Sequence, residues 1–303
     1  MTVAPGDLIT SPGQLQYGEL LLGRGTPYRW KKLNGWGDLP GMDSGTVARS
    51  DAHGAYPGRL LAQTRTIGLD GLMVRAPRTD IAAAVDALEG ATAPVEDELP
   101  LVAWLDSRGP RMVWARCLRR AIPVEKGYGV GTIVGGAVEF EATDPRRYEL
   151  AERTAAARLP VAEPGLDWHD GQSGAAGLAW PLEFGAPGST GGMSASNTGS
   201  AATHPVIEFR GPVVRPALTN LETGDVLEYD IPLAAADVLT VDTRAGTVVL
   251  NGTASRIGAA TARSVPEQTF TIAPGTTDLT FRAAPGSSDP AASATVRYRS
   301  AYW

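Results

Sequence analysis

The sequence predicts a mainly β protein built from two domains. Gly and Pro together account for 59 of the 303 residues, while apolar residues make up 43%, a combination that favours turn-rich β structure around a buried core. Apolar and polar residues alternate with period 2 along both halves of the chain, which is typical of half-buried strands. The length fits two domains of ordinary size, each large enough to bury its own core.

Residues 1–158 are predicted to form a β-rich domain with one helix packed on a sheet. The alternation predicts strands within 14–22, 59–74, 101–106, 111–119 and 131–143. Within the second of these, Asp70-Gly71 is a hairpin-type turn signal.

The helix of this domain is predicted from its cap and its apolar spacing. Thr79 or Asp80 is the candidate cap, and Gly90 is placed to end the helix. Apolar residues recur at i, i+4 and i+7 on one face, namely Ile81, Val85 and Leu88.

The domain is predicted to close at the segment 135–148. Val138, Phe140 and Ala142 alternate with polar residues up to Asp144-Pro145, where proline removes a backbone donor. The Asp144 carboxylate is expected to fold back onto nearby backbone amides, as in an Asx turn.

The remainder of the chain is predicted to be a linker followed by a second β domain. Residues 148–158 are predicted as a short helix, and 159–200, rich in Gly, Ser and Ala, as a linker with an entry strand. From 201 to 303, turn signals recur every 8–12 residues, as at Asn251-Gly252, which favours an antiparallel β-sandwich. The candidate strands between them are 205–210, 213–220, 225–231, 238–242, 247–250, 268–272, 277–282 and 294–302.

A long irregular region at 23–57 carries the large aromatic residues Tyr28, Trp30 and Trp36. Long loops in compact domains are usually functional, and large aromatic side chains often anchor protein–protein contacts. These three residues are therefore candidates for contacts between subunits. The alternative is that they fold back over the core of their own domain.

Charge and composition argue against several classes of protein. Residues 1–160 carry 19 basic and 19 acidic side chains, so they are neutral, and the rest of the chain carries the whole net charge of −6. Because no basic stripe is present, sequence-specific nucleic-acid binding is not expected. The sequence has no apolar run of 18 residues and no leader after Met1, so we expect synthesis in the cytoplasm and no membrane insertion.

Residues with catalytic or metal-binding potential are few, and the sequence predicts neither an enzyme nor a cofactor. Cys117, the single cysteine, occupies an apolar-phase position and is expected to be a buried, inert thiol. His169 lies between Asp167 and Asp170, but three adjacent polar residues in a linker are more often solvated than metal-bound. No nucleophile elbow, P-loop or dinucleotide fingerprint occurs.

Carbohydrate binding at a cell surface is one function open to the predicted β-sandwich. Sandwiches of this size can bind sugars on aromatic platforms, and Trp168 and Trp180 are the candidate glycan contacts. Aromatic residues in a sandwich more often belong to its core.

The order of segments resembles the distal tail protein family of long-tailed phages, the siphovirus-type tail components. The resemblance is carried by FEATDPRRY at 140–148, PVIEFRGP at 205–212, LTNLETGDVL at 218–227, VLTVDT at 238–243 and TVVLNG at 247–252. Members of this family have a galectin-like second domain. The resemblance therefore implies a galectin-like C-terminal sandwich after a ring-forming first domain.

The resemblance also implies a structural role in the virion. Family members form a ring, commonly a homo-hexamer, at the tail tip, where the ring frames the DNA channel. The ring joins the tail tube protein and the end of the tape-measure protein to the baseplate or tail-tip hub protein. For this chain it implies self-association and a place in the virion tail tip. A charge-neutral first domain suits such a channel, because DNA must pass without binding.

Overall fold

The structure, a computed structural model, describes residues 3–161 and 188–303. It divides the chain into two compact units, here called the N-terminal unit (Met1–Leu150 with Tyr302–Trp303) and the C-terminal unit (Ala151–Ala301). Both units are built mainly from antiparallel strands, so the predicted fold class is confirmed. Much of the predicted linker 159–200 falls outside the described residues, and the predicted domain bounds 1–158 and 201–303 stay predictions.

The N-terminal unit contains thirteen strands and one α-helix among its described residues. In chain order they are β1 Gln14–Tyr17, β2 Leu20–Gly23, β3 Tyr28–Arg29, β4 Lys32–Asn34, β5 Met42–Asp43, β6 Val47–Ala48, β7 Ala55–Tyr56, β8 Leu61–Ala62, β9 Arg65–Arg75, α1 Ile81–Ala91, β10 Leu99–Trp104, β11 Arg111–Ala121, β12 Thr132–Ala142 and β13 Arg147–Glu149, with a 3-10 turn at Tyr128–Val130 before β12.

The main sheet of this unit has the strand order β2-β1-β10-β11-β12-β9-β3. Strand β4 also pairs with β9, and β13 pairs with β11. The inward faces of these strands meet one core with Tyr17, Ile67 and Phe140 fully buried in it. The region 23–57 is not a plain loop, because β3 and β4 add to the sheet edge at β9.

Strand β9 corrects one prediction. Asp70-Gly71 is not a hairpin turn, because the strand continues through it to Arg75. Gly71 has φ +65° and the register against β12 shifts at the same place, so the pair forms a bulge. Burial changes phase there: Ile67 and Leu69 face the core before the bulge, and Leu72 and Val74 after it.

Helix α1 forms where the spacing predicts it. Asp80 occupies the N-cap position, but its side chain makes no capping hydrogen bond. Ile81, Val85 and Leu88 are buried against the sheet, as predicted. The helix ends at Ala91, one residue beyond the predicted Gly90.

The C-terminal unit contributes the remaining strands. They are β14 Arg153–Arg158, β15 Gly192–Asn197, β16 Val206–Arg210, β17 Val213–Val214, β18 Ala217–Asn220, β19 Val226–Glu228, β20 Pro232–Leu233, β21 Val238–Asp242, β22 Thr247–Leu250, β23 Ala254–Ser255, β24 Gly275–Arg282, β25 Ser293–Tyr298 and β26 Ala301–Tyr302, with 3-10 turns at Ile257–Ala259 and Glu267–Thr269. Residue Tyr302 of the last strand belongs to the N-terminal unit.

These strands form the predicted antiparallel sandwich. One sheet has the order β14-β25-β16-β21-β22-β23 and the other β15-β24-β18-β19. Phe209 of the first sheet and Phe281 of the second lie with ring centroids 5.9 Å apart in the core. At Asn251-Gly252 both residues have positive φ, 51° and 74°, so the predicted turn is confirmed.

Two predictions for this half of the chain were wrong. The segment predicted as a helix at 148–158 contains β14, which pairs with β25 along all six of its residues. Ladder hydrogen bonds and burial of Ala155 outweigh the helix propensity of its alanines. The strand predicted at 268–272 is instead the 3-10 turn Glu267–Thr269 followed by extended residues, of which Ile272 forms a single bridge to Thr203.

Candidate functional site

Residues 39–62 of the N-terminal unit form a narrow β-ribbon, here called the arm. Strand β5 pairs with β8 and β6 with β7, each as an isolated two-stranded antiparallel ladder. The two chain segments of the arm approach closely at Gly45 and Gly58. A Cβ on Gly58 would lie only 2.1 Å from the carbonyl oxygen of Gly45, so a larger residue would not fit there. The sequence interpretation of 23–57 as irregular therefore missed short strands within it.

The arm carries a set of exposed apolar side chains. Five large ones are each more than half exposed: Leu39, Val47, Tyr56, Leu60 and Leu61. The only ring contact described for Tyr56 within residues 3–161 and 188–303 is the Arg49 guanidinium, 4.8 Å from its centroid. Isolated two-stranded ribbons are marginally stable in water, and clustered exposed apolar groups mark interaction surfaces. The arm thus has the properties of a surface that a second protein covers.

Of the three aromatic residues predicted as subunit contacts, Trp36 lies at the base of the arm beside Arg65, whereas Tyr28 pairs with Val74 near the other end of β9 and Trp30 follows two residues later. Tyr28 and Trp36 are buried in the core of the N-terminal unit, and Trp30 packs partly buried against it. The Tyr28 hydroxyl donates to the carbonyl oxygen of Ala84 in α1 at 2.7 Å. The side chains of Tyr28 and Trp36 are therefore folded back over the core of their own domain, which is the alternative to subunit contact given above.

Arg65 is the side chain that fixes the base of the arm. It is 1% exposed, and its Nη1 donates to the carbonyl oxygens of Gly35, Trp36 and Asp38 at 2.6, 3.2 and 2.7 Å. Burial, and next the nearby charge of Arg147, lower the pKa of Arg65 to about 10, while Asp38 opposes this shift. The sequence did indicate that Arg65 is buried, because the alternation in β9 places it on the same side as Ile67. The pattern does not reveal which groups the buried guanidinium contacts.

The turn that closes β12 has the predicted Asx geometry. The Asp144 carboxylate accepts from the backbone amide of Arg146 at 3.1 Å and from the Tyr148 hydroxyl at 2.6 Å. Burial and the adjacent carboxylate raise the pKa of Tyr148 well above its ordinary value, so the phenol stays protonated. Hydrogen bonds to both oxygens of the Asp144 carboxylate therefore fix the turn.

Charges on the strands β11 and β12 are paired across the ladder. Arg116 lies opposite Glu141, with Nη2 and Oε2 2.9 Å apart, and Arg119 lies opposite Glu139. The Cys117 side chain between them is half-buried, more exposed than predicted, and burial raises its thiol pKa. These two cross-strand pairs balance each other, and the further charge of Arg120 on β11 lies 3.7 Å from Glu89 of α1.

The candidate glycan contacts Trp168 and Trp180 lie outside the described residues, as do Asp167, His169 and Asp170. Within the described part of the C-terminal unit, five aromatic side chains are buried in the core: Phe209, Tyr229, Phe270, Phe281 and Tyr298. These five hold the two sheets together.

Residues 3–161 and 188–303 contain no group of three or more His, Cys, Asp or Glu side chains arranged to hold a metal ion. In the same residues, no helix has the length and apolar character needed to cross a membrane.

Comparison with known proteins finds one matching family model and several structures of similar fold. Residues 198–302 match the family model "siphovirus-type tail component, C-terminal domain". No curated protein matches the sequence. The chain is similar to the crystal structure of the SPP1 Dit (gp 19.1) protein, described as a paradigm of the hub adsorption apparatus in phages that infect Gram-positive hosts. That similarity has a TM-score of 0.62 at 14% identity and covers 96% of this chain and 99% of the other.

Two further similar structures come from the phage P2 baseplate in its activated conformation. The one with Ca matches with a TM-score of 0.52 at 8% identity, and the one with Sr with 0.51 at 10% identity. Each covers 94% of this chain and 97% of the other. Nearly the whole chain thus shares its fold with tail and baseplate proteins, and residues 198–302 match the model of the siphovirus-type tail component family that the sequence resembles.

Proposed function

We propose that this protein is a structural component of a long-tailed phage virion, the distal tail adaptor at the tail tip. The observation that carries this function is the likeness of nearly the entire chain to a hub protein, together with the family match of residues 198–302. The likeness to P2 baseplate chains supports assembly into a larger complex. In this role the protein acts through shape and self-association rather than catalysis.

The N-terminal unit builds a ring, here of six copies, around the DNA channel. Ring closure needs two different patches on each subunit, since a heterologous contact joins one patch to another on the next copy. The arm supplies one patch through its exposed Leu60 and Tyr56. Of the sequence candidates, the partly buried Trp30 remains a contact residue, whereas the buried Tyr28 and Trp36 belong to the core of the N-terminal unit.

The paired charges of β11 and β12 suit a surface near DNA. Arg116 and Glu141 neutralise each other across the strands, so such a surface offers phosphates little net attraction. The ring joins the tail tube protein and the end of the tape-measure protein to the baseplate or tail-tip hub protein.

The oligomeric state of the purified full-length chain tests this function. Light scattering over a range of concentrations is expected to find a closed oligomer, and negative-stain imaging a ring with a central opening. Mixing with the tail tube protein of the same phage is expected to place the ring at the tube end. A chain that stays monomeric at high concentration, both alone and with tail tube protein, contradicts the proposed function.

A further inference from the structure

A groove in the N-terminal unit lies between the turn that joins β1 to β2 and the end of α1. Its volume is about 710 Å³, within the roughly 300–1,000 Å³ of sites that enclose drug-sized ligands, so it has room for more than one side chain. Tyr17 and Leu20, both largely buried, line one side of it, and Ala87 and Gly90 of α1 with Val95 beyond the helix line the other. Because Ala87 and Gly90 are small, the helix leaves this space open.

The lining of the groove is mostly apolar, yet part of it faces solvent. Val95 is 44% exposed, and Ala87 on the helix is exposed as well. The described part of the chain thus leaves an apolar depression uncovered, and exposed apolar patches of this kind mark interaction surfaces.

The groove and the arm lie towards opposite edges of the main sheet, at the same level. Arg65, close to where the arm joins β9, pairs with Ala142 of β12. Ala115 of β11, in the next position across, pairs with Leu99, which lines the groove at the start of β10. Four strand spacings of about 4.8 Å separate β9 from β1, so the two features lie about 19 Å apart along the sheet. A contact between opposite edges at one level repeats around a ring, whereas a contact between different levels would add a rise with each copy.

Charges around the groove are complementary to those beside the apolar residues of the arm. Residues 81–100, which form one wall, contain Asp and Glu but no Lys, Arg or His. Glu19 on the other wall is exposed, and no ion pair involves it within residues 3–161 and 188–303. On the arm, Arg59 precedes Leu60, is exposed and likewise has no ion pair among those residues. An acidic groove therefore favours a partner surface in which arginine accompanies apolar side chains.

We propose that this groove receives the arm of the next copy of the chain. The inference rests on the proposed function, because a closed ring needs a second patch that fits the first. Tyr56 and Leu60 of the arm, 59% and 63% exposed, supply apolar side chains for the groove to bury. Arg59 of one copy then lies beside Glu19 of the next, at the rim of the contact. Apolar burial supplies the affinity of this contact, and the rim charges select the partner and fix the register.

Two full-length variants, each with one of the two patches disabled, test the contact. The arm variant, Val47→Ser with Leu60→Ser, keeps its groove. The groove variant, Gly90→Phe, keeps its arm, and its phenyl ring fills the groove from an exposed helix position where an added Cβ meets nothing within 4 Å. Sedimentation velocity is expected to find the self-association of each variant alone weakened by about tenfold or more.

An equimolar mixture of the two variants distinguishes an arm-in-groove contact from a contact between two arms. The mixture contains one intact arm and one intact groove, so we expect a heterodimer that does not grow further. A contact between two arms would give no heterodimer, because one of the two arms is disabled.

Ala82→Phe is the matched control, since it adds the same side chain at an exposed position of α1 that does not line the groove. It is expected to assemble like the wild-type protein. Glu19→Arg and Arg59→Glu provide a second route if Gly90→Phe does not fold. Each places like charges together and is expected to weaken assembly by about fivefold, whereas both changes in one chain are expected to restore it to within about twofold.

The outcomes separate this inference from the proposed function. Wild-type assembly that Gly90→Phe leaves intact, or a mixture that stays monomeric while the wild-type protein forms rings, overturns the groove as the second patch and leaves the proposed function standing. A double charge variant that assembles no better than its single variants has the same meaning. A wild-type chain that stays monomeric, with no heterodimer in the mixture, contradicts both. A heterodimer in the mixture upholds the groove even where the wild-type oligomer is not a closed ring.

Discussion

The Nε of Arg65 donates to the carbonyl oxygen of Pro145 at 2.6 Å, across 80 positions of the sequence. The same guanidinium donates through its Nη1 to the carbonyl oxygens of Gly35, Trp36 and Asp38. One buried side chain thus joins the base of the arm to the turn that closes β12. Hydrogen bonds from a charged donor are among the stronger ones, so this contact orders both segments.

Replacing Arg65 is expected to destabilise the N-terminal unit. Arg65→Met keeps the length of the side chain but leaves the carbonyl oxygens of Gly35, Asp38 and Pro145 without their donor. We expect the free energy of unfolding to fall by about 3 kcal/mol or more, measured by urea denaturation. Arg78→Met, at an exposed position of the same unit, is the control and should change it by less than about 0.5 kcal/mol. Equal effects of the two substitutions would contradict this role for Arg65.

Two nearby glycines offer a second matched pair. Gly35 has φ +73°, and a Cβ there would lie 1.9 Å from the carbonyl oxygen of Thr66, whereas a Cβ on Gly37 meets nothing within 4 Å. Gly35→Ala is expected to cost about 2 kcal/mol or more, since left-handed strain adds to a backbone clash. Gly37→Ala should change stability by less than about 0.5 kcal/mol, and urea denaturation measures both variants. A tolerated Gly35→Ala would mean that the arm's base adjusts freely.

Local patterns predicted the elements whose stabilising contacts are also local. Strands Val238–Asp242 and Thr247–Leu250 lie where alternation places them, and α1 lies where its apolar spacing does. By contrast, Asp70-Gly71 has the same local signature in a hairpin and in a bulge, and only pairing with β12 distinguishes them.

The candidate site was less predictable because its determinants are distant in sequence. The hydrogen bonds of Arg65 reach residues 27 to 80 positions away. Burial of Tyr28 depends on α1, whose Ala84 lies 56 positions further on. The arm's strands are two residues each, too short for a period-2 pattern to be recognised.

Polar substitutions on the arm are expected to weaken self-association without weakening the fold. The double variant Val47→Ser and Leu60→Ser replaces two apolar side chains that are 65% and 63% exposed. Because little of their surface is buried within the subunit, the free energy of unfolding at low protein concentration should change by less than about 0.5 kcal/mol. Light scattering should find a larger fraction of small species than in the wild-type protein.

The control for the arm is an equally exposed apolar residue in the other unit. Leu221 is 58% exposed in the C-terminal unit, and Leu221→Ser should leave the mass distribution unchanged. If the arm variant also assembles like the wild-type protein, the arm is not the contact surface, although the ring could then close through another patch.

The last prediction concerns alkaline pH and the C-terminal unit. The buried Tyr229 hydroxyl donates to Oε1 of Glu267 at 3.1 Å, and burial, followed by the Glu267 carboxylate, raises the pKa of Tyr229. The unfolded chain releases this proton near pH 10, but the folded protein retains it, so stability is full below about pH 10 and falls as pH rises further. One such proton contributes a slope of about 1.4 kcal/mol per pH unit.

Tyr229→Phe removes the proton and is expected to lose this contribution to the slope. At neutral pH the variant should be less stable by about 1–3 kcal/mol, because the buried Glu267 loses a donor. Urea unfolding at several pH values between 8 and 11 measures both effects. Phe281→Leu, a core substitution in the same unit that removes no ionisable group, should lower stability while keeping the wild-type slope. An identical slope in Tyr229→Phe and the wild-type protein would show that Tyr229 ionises equally in the folded and unfolded states, contrary to its burial against a carboxylate.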